Sequence, residues 1–159
     1  MTESSAIAYY IADSAEDASM RAQLLGADAY SRAKILQYVF FAEMHIGEPI
    51  LTLVGWRLGF GVYDKAKEDL HAAYMSNFLR YLEGEIKDKT WFVGDSGPTL
   101  ADITIGGHIY VGLLGYIDAE MRKDYPELIR WYESLKSVPD LTELYTGPMV
   151  DVRKQPKED

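Results

Sequence analysis

WFVGDSGPTLADITIGGHIYVGLLGYI occupies residues 91–117 and carries the most definite structural signal in the chain. Within it, Thr99 can cap the first free backbone amides of a helix, and Asp102, three residues later, can accept a hydrogen bond from the amide of Thr99. The pair forms a capping box in which Asp stands where Glu or Gln is usual. Pro98 and Ile103 occupy the positions of a hydrophobic staple. The sequence therefore predicts that a helix begins at Thr99.

The predicted helix continues to Ile117 with almost no polar face. Its apolar residues are Ile103, Ile105, Ile109, Val111, Leu113, Leu114 and Ile117. A helix that is apolar all round is surrounded by other helices. Each of its four glycines costs about 1 kcal/mol relative to alanine, a cost that close packing of neighbouring helices offsets. We expect an all-α bundle with this helix buried at its centre.

Composition limits the function. The 159 residues are 48% hydrophobic, which suits one domain with a single core. The net charge of -9 argues against nucleic-acid partners and polybasic membrane anchors. The chain contains no cysteine, so thiolate metal sites and cysteine nucleophiles are excluded. It also lacks a stretch of about 20 apolar residues, and MTESSAIAYY at residues 1–10 has neither the basic region nor the apolar core typical of a signal peptide. We therefore expect a cytoplasmic protein without a membrane partner.

Helical periodicity predicts the remaining elements. We expect a short helix over residues 4–12, a loop over 13–23, and a long helix from Ala29 that Asp28 caps. Pro49 should interrupt or kink that helix, and a second long helix, over 63–86, should pack antiparallel to it. The expected core stripes are Ala33, Leu36, Phe40 and Met44 on the first, and Ala66, Leu70, Ala73, Phe78 and Leu82 on the second.

The C-terminal part continues the helical pattern. A further helix over 125–138 and a short turn up to Tyr145 should complete a single helical domain of residues 1–146. Residues 147–159 lose apolar periodicity, so we expect a mobile tail.

Polar and aromatic residues share one side of the first long helix. They are Tyr30, Lys34, Gln37, Phe41, Met44 and His45. Such a mixture is typical of a ligand-binding face, although core packing explains most aromatic residues in this chain. The three histidines, including His71 and His108, have no metal-ligand spacing, and no catalytic nucleophile motif is present. We therefore expect no metal site.

Two motifs resemble a known family. The run GDxGPTLADIT at 94–104, followed by PELIRWYESL at 126–135, resembles the C-terminal helical domain of cytosolic glutathione transferases. The opening ESSAIAYYIA at 3–12 is similar to the end of their thioredoxin-like domain, and together with TLADIT it resembles the gamma subunits of the eukaryotic elongation factor one-B complex. The resemblance covers nearly the whole chain and implies the same helical bundle.

The resemblance also implies what is missing. In this family glutathione binds mainly to the thioredoxin-like domain, of which residues 1–12 would be only the end. Glu3 and Ser4 match the family's E-S pair, which binds the gamma-glutamyl end of glutathione. We therefore expect no cofactor and no ordinary glutathione conjugation.

Two hypotheses about function remain open. In the first, which we favour, the chain acts on an apolar or aromatic molecule of specialised metabolism by acid–base isomerisation, dehydration or cyclisation. His108, His45 or Lys34 would move protons, Tyr30, Gln37, Tyr38, Phe41 and Met44 would contact the substrate, and the pocket would lie between their side and His108. In the second, the chain is a non-catalytic interaction module, like the elongation-factor subunit.

We expect a homodimer, because apolar surface is uncovered without the thioredoxin-like domain.

Overall fold

The structure, a computed structural model, describes residues 1–156, which form helices and contain no strand. The α-helices are α1 (Ser4–Asp13), α2 (Ala18–Leu25), α3 (Ala29–Phe41), α4 (Glu48–Leu58), α5 (Lys65–Ile86), α6 (Leu100–Gly115), α7 (Ala119–Arg122) and α8 (Pro126–Lys136). A π-helical segment, the π-turn (Ala42–Gly47), joins α3 to α4, and a 3₁₀ turn follows at Thr142–Leu144. The predicted all-α bundle is confirmed.

Helix α6 lies at the centre of the bundle and begins with the predicted capping box. It contacts α1, α3, α4, α8 and the π-turn. Asp102 is fully buried, and its carboxylate accepts hydrogen bonds from the backbone amide (2.9 Å) and hydroxyl (2.8 Å) of Thr99. It also accepts from the amide of Phe92 (3.0 Å) and the indole Nε1 of Trp131 (3.0 Å). One side chain thus joins the start of α6 to α8 and to the preceding loop.

Helices α3 and α4 form one long helix through the π-turn. Pro49 has no N–H for an i to i−4 bond, and the wider π-helical turn stands just before it. Helix α5 packs antiparallel to the long helix, as predicted. Residues near the start of the long helix contact the end of α5, and residues near the end of the long helix contact the start of α5. Tyr38 donates a hydrogen bond to Glu85, and Trp56 packs edge-on against His71.

The buried faces of the two long helices differ from the predicted stripes. On the first, the buried residues are Ile35, Tyr38, Val39, Ala42 and Ile46, whereas Ala33, Phe40 and Met44 are exposed. On α5 they are Met75, Leu79, Leu82 and Ile86, so the predicted Leu82 is buried, whereas the predicted Ala66, Leu70 and Ala73 are exposed. Both helices carry more apolar residues than one face can hold, so two different apolar stripes fit the 3.6-residue period of each helix. Which of the two stripes is buried is decided by the elements that pack against the helix.

Residues 18–25 form a helix, where we expected a loop. Asp17 caps α2 by accepting hydrogen bonds from the amides of Ser19 and Met20. Leu25 is its only buried residue, so α2 has almost no apolar stripe for periodicity to detect.

The segment after Gly147, for which we expected mobility, makes specific contacts as far as Arg153. The amide of Val150 donates to the carbonyl of Leu113 (2.8 Å), and Arg153 pairs with Asp118 (2.6 Å) and stacks on Tyr116. These partners lie far away in sequence and leave no local pattern. Residues 157–159, also within the predicted tail, lie outside the described part.

Candidate functional site

A groove of about 840 Å³ runs between α1 and α3. Its walls are mostly apolar, and they include Tyr9, Tyr10, Leu36, Val39 and Phe40. Phe40 is 56% exposed and Tyr10 60% exposed, although both are large aromatic side chains. Exposed aromatic rings that face each other across a groove of this size are typical of a site for an apolar ligand.

One end of this groove is polar. Ser5 donates a hydrogen bond to Oε1 of Glu43 (2.7 Å), and the hydroxyl of Ser4 lies 3.4 Å from the same oxygen. Nε2 of His108, on α6, lies 3.9 Å from Oε2 of Glu43. That distance is too long for a hydrogen bond but close enough for charge interaction. Three elements, α1, the π-turn and α6, therefore bring hydroxyl, carboxylate and imidazole groups together. We call Ser4, Ser5, Glu43 and His108 the polar cluster.

A smaller cavity of about 210 Å³ continues from the polar cluster along α6. Ser4, Ser5 and Glu43 line both cavities, so the two meet at the cluster. Gly107 and His108 line this smaller cavity and not the groove itself. A ligand would therefore reach His108 only by extending from the groove into the smaller cavity.

The π-turn sets the position of Glu43. A π-turn changes the direction in which its side chains project, and such turns recur at functional sites. It also brings Gly47 against His108, where a Cβ would lie 3.0 Å from the imidazole Cε1. Glycine at this position leaves room for the histidine.

Burial lowers the pKa of His108, and the negative charge of Glu43 opposes this effect only in part. Its imidazole is therefore neutral at neutral pH and can accept a proton. The imidazolium that forms would be stabilised by the carboxylate of Glu43.

Comparison with known proteins identifies the family. Residues 61–134 match the model of the glutathione S-transferase C-terminal domain. The chain is 36% identical over 148 residues to glutathione S-transferase-like protein FUS3 of Gibberella moniliformis, and 34% identical over 155 residues to glutathione S-transferase-like protein LUC7 of a Fusarium species. The chain belongs to the glutathione S-transferase family. The alignments include 93% and 97% of this chain but 66% and 69% of the relatives' length.

The fold is shared with an elongation-factor subunit, as the sequence indicated. The glutathione S-transferase-like domain of elongation factor 1-gamma from Saccharomyces cerevisiae superposes with a TM-score of 0.92 over 99% of this chain and 73% of that one. Its sequence identity is 24%, so this likeness concerns the fold alone.

The predicted ligand face of this chain lies on another side of α3. Phe41 is half-buried against Phe78 and Tyr81 of α5, and the His45 ring also packs against Phe78. Lys34 donates to Gln37 (3.2 Å). These residues share one side, as predicted, but that side faces α5. The structure does not place them in a pocket with His108.

The other predicted contact residues are separated as well. Tyr38 is fully buried and packs against Phe92, so the structure places it in the core and not on a ligand surface. Tyr30 is 75% exposed at the start of α3, and Met44 is exposed on the π-turn. Of the predicted residues, Glu3 and Ser4 line the groove and His108 lies at its polar end.

Sequence reasoning missed Glu43, Ser5 and the aromatic wall. Leu36, Phe40 and Glu43 advance by four and three residues and so share a face, but we assigned Leu36 and Phe40 to the core. The adjacent tyrosines in a short apolar helix, Tyr9 and Tyr10, were the available signal for the opposite wall.

Within residues 1–156, no three His, Asp or Glu side chains come close enough to hold a metal ion. No helix in that part of the chain combines the length and apolar character needed to cross a bilayer.

Proposed function

We propose that this chain binds an apolar or aromatic small molecule in the groove between α1 and α3, and that the polar cluster moves protons on the bound molecule. The observation that carries the proposal is the position of the cluster, since Glu43, Ser5 and His108 meet at the end of an aromatic-walled groove. In an apolar site, a small number of polar groups at one end is enough to fix the orientation of a ligand.

The chemistry follows from the protonation states. Neutral His108 can take a proton from a bound ligand and return it to another atom of the same molecule, so an isomerisation needs no further reactant. Glu43 stabilises the transient imidazolium, and the Ser5 hydroxyl holds the carboxylate in place. Dehydration and cyclisation use the same proton transfers. We therefore assign His108 as the acid–base group and Glu43 as a positioning residue.

Glutathione fits this groove poorly. The hydroxyls of Ser4 and Ser5 lie against the carboxylate of Glu43, so the serine of the E-S pair already faces an anion. The carboxylate at the gamma-glutamyl end would be repelled by Glu43 there. We expect glutathione to leave the melting temperature unchanged, whereas a fitting aromatic ligand raises it.

The experiment is a thermal-shift screen of aromatic and apolar compounds against wild type and three variants. Phe40→Ala removes one wall and should abolish the stabilisation by a ligand of this groove, and the fold should survive because the exposed ring contributes little to core packing. Tyr30→Ala removes a still more exposed aromatic ring outside the groove and should behave like wild type. His108→Gln should keep binding and lose turnover. The site is refuted if every hit stabilises Phe40→Ala as much as wild type.

A second candidate function, assembly, is supported by the exposed apolar residues of the long helix. Met44, Leu51 and Leu58 are each more than half exposed along α4 and the π-turn. Apolar patches of this kind mark interfaces.

We predict that the chain forms a homodimer, which light scattering at micromolar concentration would detect, and that Leu51→Lys weakens it. A monomeric mass for wild type would contradict this.

A further inference from the structure

A second cavity, of about 700 Å³, lies between the long helix and α5, on the side that His45 occupies. One wall is the π-turn and α4, with His45 and Trp56, and the other is α5. Gly61 and Val62, in the connection between α4 and α5, close one end. None of its lining residues belongs to the groove between α1 and α3. We call this cavity the α4–α5 cavity.

Aromatic rings form both walls of the α4–α5 cavity. Tyr74 and Phe78 stand one turn apart on α5, with ring centroids 6.3 Å apart, and Trp56 lies on the opposite helix. The indole Nε1 of Trp56 donates to the carbonyl of Val62 (3.1 Å), which fixes the ring. Tyr74 remains 46% exposed, so α5 presents an aromatic surface that the described chain does not cover. Two such walls suit a planar aromatic ring.

His71, which lies on the α5 wall of the cavity, has a ring nitrogen without a hydrogen-bond partner. Its Nδ1 is buried and has no hydrogen-bond partner within residues 1–156. A neutral imidazole carries one N–H, and a buried N–H without an acceptor is rarer and more costly than a buried lone pair. The proton therefore belongs on Nε2. Because Nδ1 is enclosed and His71 lines the cavity, the Nε2–H is the donor that remains for a ligand.

A cation and an N–H donor lie together on the α5 wall of this cavity. Lys67 stands one turn before His71 on α5 and is exposed, without an ion-pair partner in the described part of the chain. The one carboxylate among the lining residues, Glu48, is on the other wall, at the start of α4. An ammonium group and a neighbouring N–H donor on one helix face match the two oxygens of a carboxylate.

We infer from this arrangement that the α4–α5 cavity binds a planar aromatic carboxylate. The ring lies between Trp56 and Tyr74, and the carboxylate accepts hydrogen bonds from Nε2 of His71 and from the ammonium group of Lys67. The site is independent of the proposed ligand site, because it shares no residue with the groove that contains the polar cluster. It does share Met44 with the proposed dimer face.

The test uses 2-naphthoate and its uncharged analogue 2-naphthylmethanol, with the histidine imidazoles as NMR reporters. The chain has three histidines, of which His108 lies in the other site. In alkaline buffer, long-range ¹H–¹⁵N correlation should report the Nε2–H tautomer for His71. Naphthoate should shift the His71 signals saturably, and naphthylmethanol should bind more weakly.

Two variants and a control locate the binding. Lys67→Met should weaken naphthoate binding about tenfold and remove the preference over naphthylmethanol. Tyr74→Ala should weaken both compounds. Tyr10→Ala, which removes an exposed ring from the other groove, should leave the affinity at the wild-type value. Circular dichroism checks that each variant is folded.

Three results would each overturn the inference. These are an Nδ1–H tautomer at His71, an absent response of His71 to naphthoate, and a loss of affinity in Tyr10→Ala that matches the loss in Lys67→Met. A response confined to His108 would place the ligand in the other groove.

Discussion

Asp102 shows how one residue holds several elements together. Its buried carboxylate accepts hydrogen bonds from the Thr99 amide and hydroxyl, the Phe92 amide and the Trp131 indole. Removal of the carboxylate would leave these donors buried without an acceptor, and each such group costs about 1–3 kcal/mol. The residue is therefore structural, and it fixes where α6 begins.

We predict that Asp102→Ala lowers the free energy of unfolding by about 3 kcal/mol or more. Chemical denaturation measures this. Thr99→Ser keeps a hydroxyl at the cap and should cost well under half as much. A loss below about 1 kcal/mol for Asp102→Ala would show that the four hydrogen bonds contribute little.

His108 should make stability depend on pH. Because burial lowers its pKa in the folded protein, the unfolded chain binds the proton more readily. The stabilising contribution is therefore complete above the ordinary pKa of 6.5 and is lost as the pH falls below it.

We predict that His108→Gln loses less stability than wild type between about pH 7 and about pH 5. Thr104→Val, on the same helix, should keep the wild-type slope, and identical slopes for His108→Gln and wild type would contradict the assignment.

At the scale of elements, the segment that ends at Arg153 is attached to the end of α6 and the start of α7. Burial by itself would raise the pKa of Asp118, but the hydrogen bond and charge of Arg153 outweigh it, and the pKa lies below its usual value. Asp118 also caps α7 through the amide of Met121. The carboxylate therefore serves two elements at once.

We predict that Arg153→Ala detaches this segment. Hydrogen exchange should accelerate at the amides of Val150 and Ala119, which bond to Leu113 and Asp151. The free energy of unfolding should fall by about 1.5–3 kcal/mol, the range for a hydrogen bond to a charged group. Arg153→Lys should restore part of the protection. Unchanged exchange at both amides would mean that the other contacts hold the segment, among them the hydrogen bond from Arg122 to the carbonyl of Val150 (2.7 Å).

Sequence patterns predicted elements better than they predicted faces. The capping residues Asp28 and Thr99 marked helix starts because capping is local chemistry. The buried faces of α3 and α5 were misassigned because both helices carry two apolar stripes, and only tertiary packing decides which is buried. The polar cluster combines Ser5, Glu43 and His108 from three elements, so no local spacing could reveal it.

For the whole molecule, the two cavities lie on different sides of the long helix. Leu36, Phe40 and Glu43 face α1, whereas Phe41 and His45 face α5. The expected pocket joined His45 to His108, and the actual helix rotation separates them. One helix thus supplies walls for two cavities.

The groove between α1 and α3 is the proposed ligand site, with His108 as its acid–base group. The imidazole ¹H–¹⁵N spectrum tests this during titration with an aromatic hit from the thermal-shift screen. We predict a saturable change at His108 that disappears in Phe40→Ala and persists in Tyr30→Ala. A hit that loses its stabilisation in Phe40→Ala, yet leaves the His108 signals of wild type unchanged, would show that His108 does not serve this site.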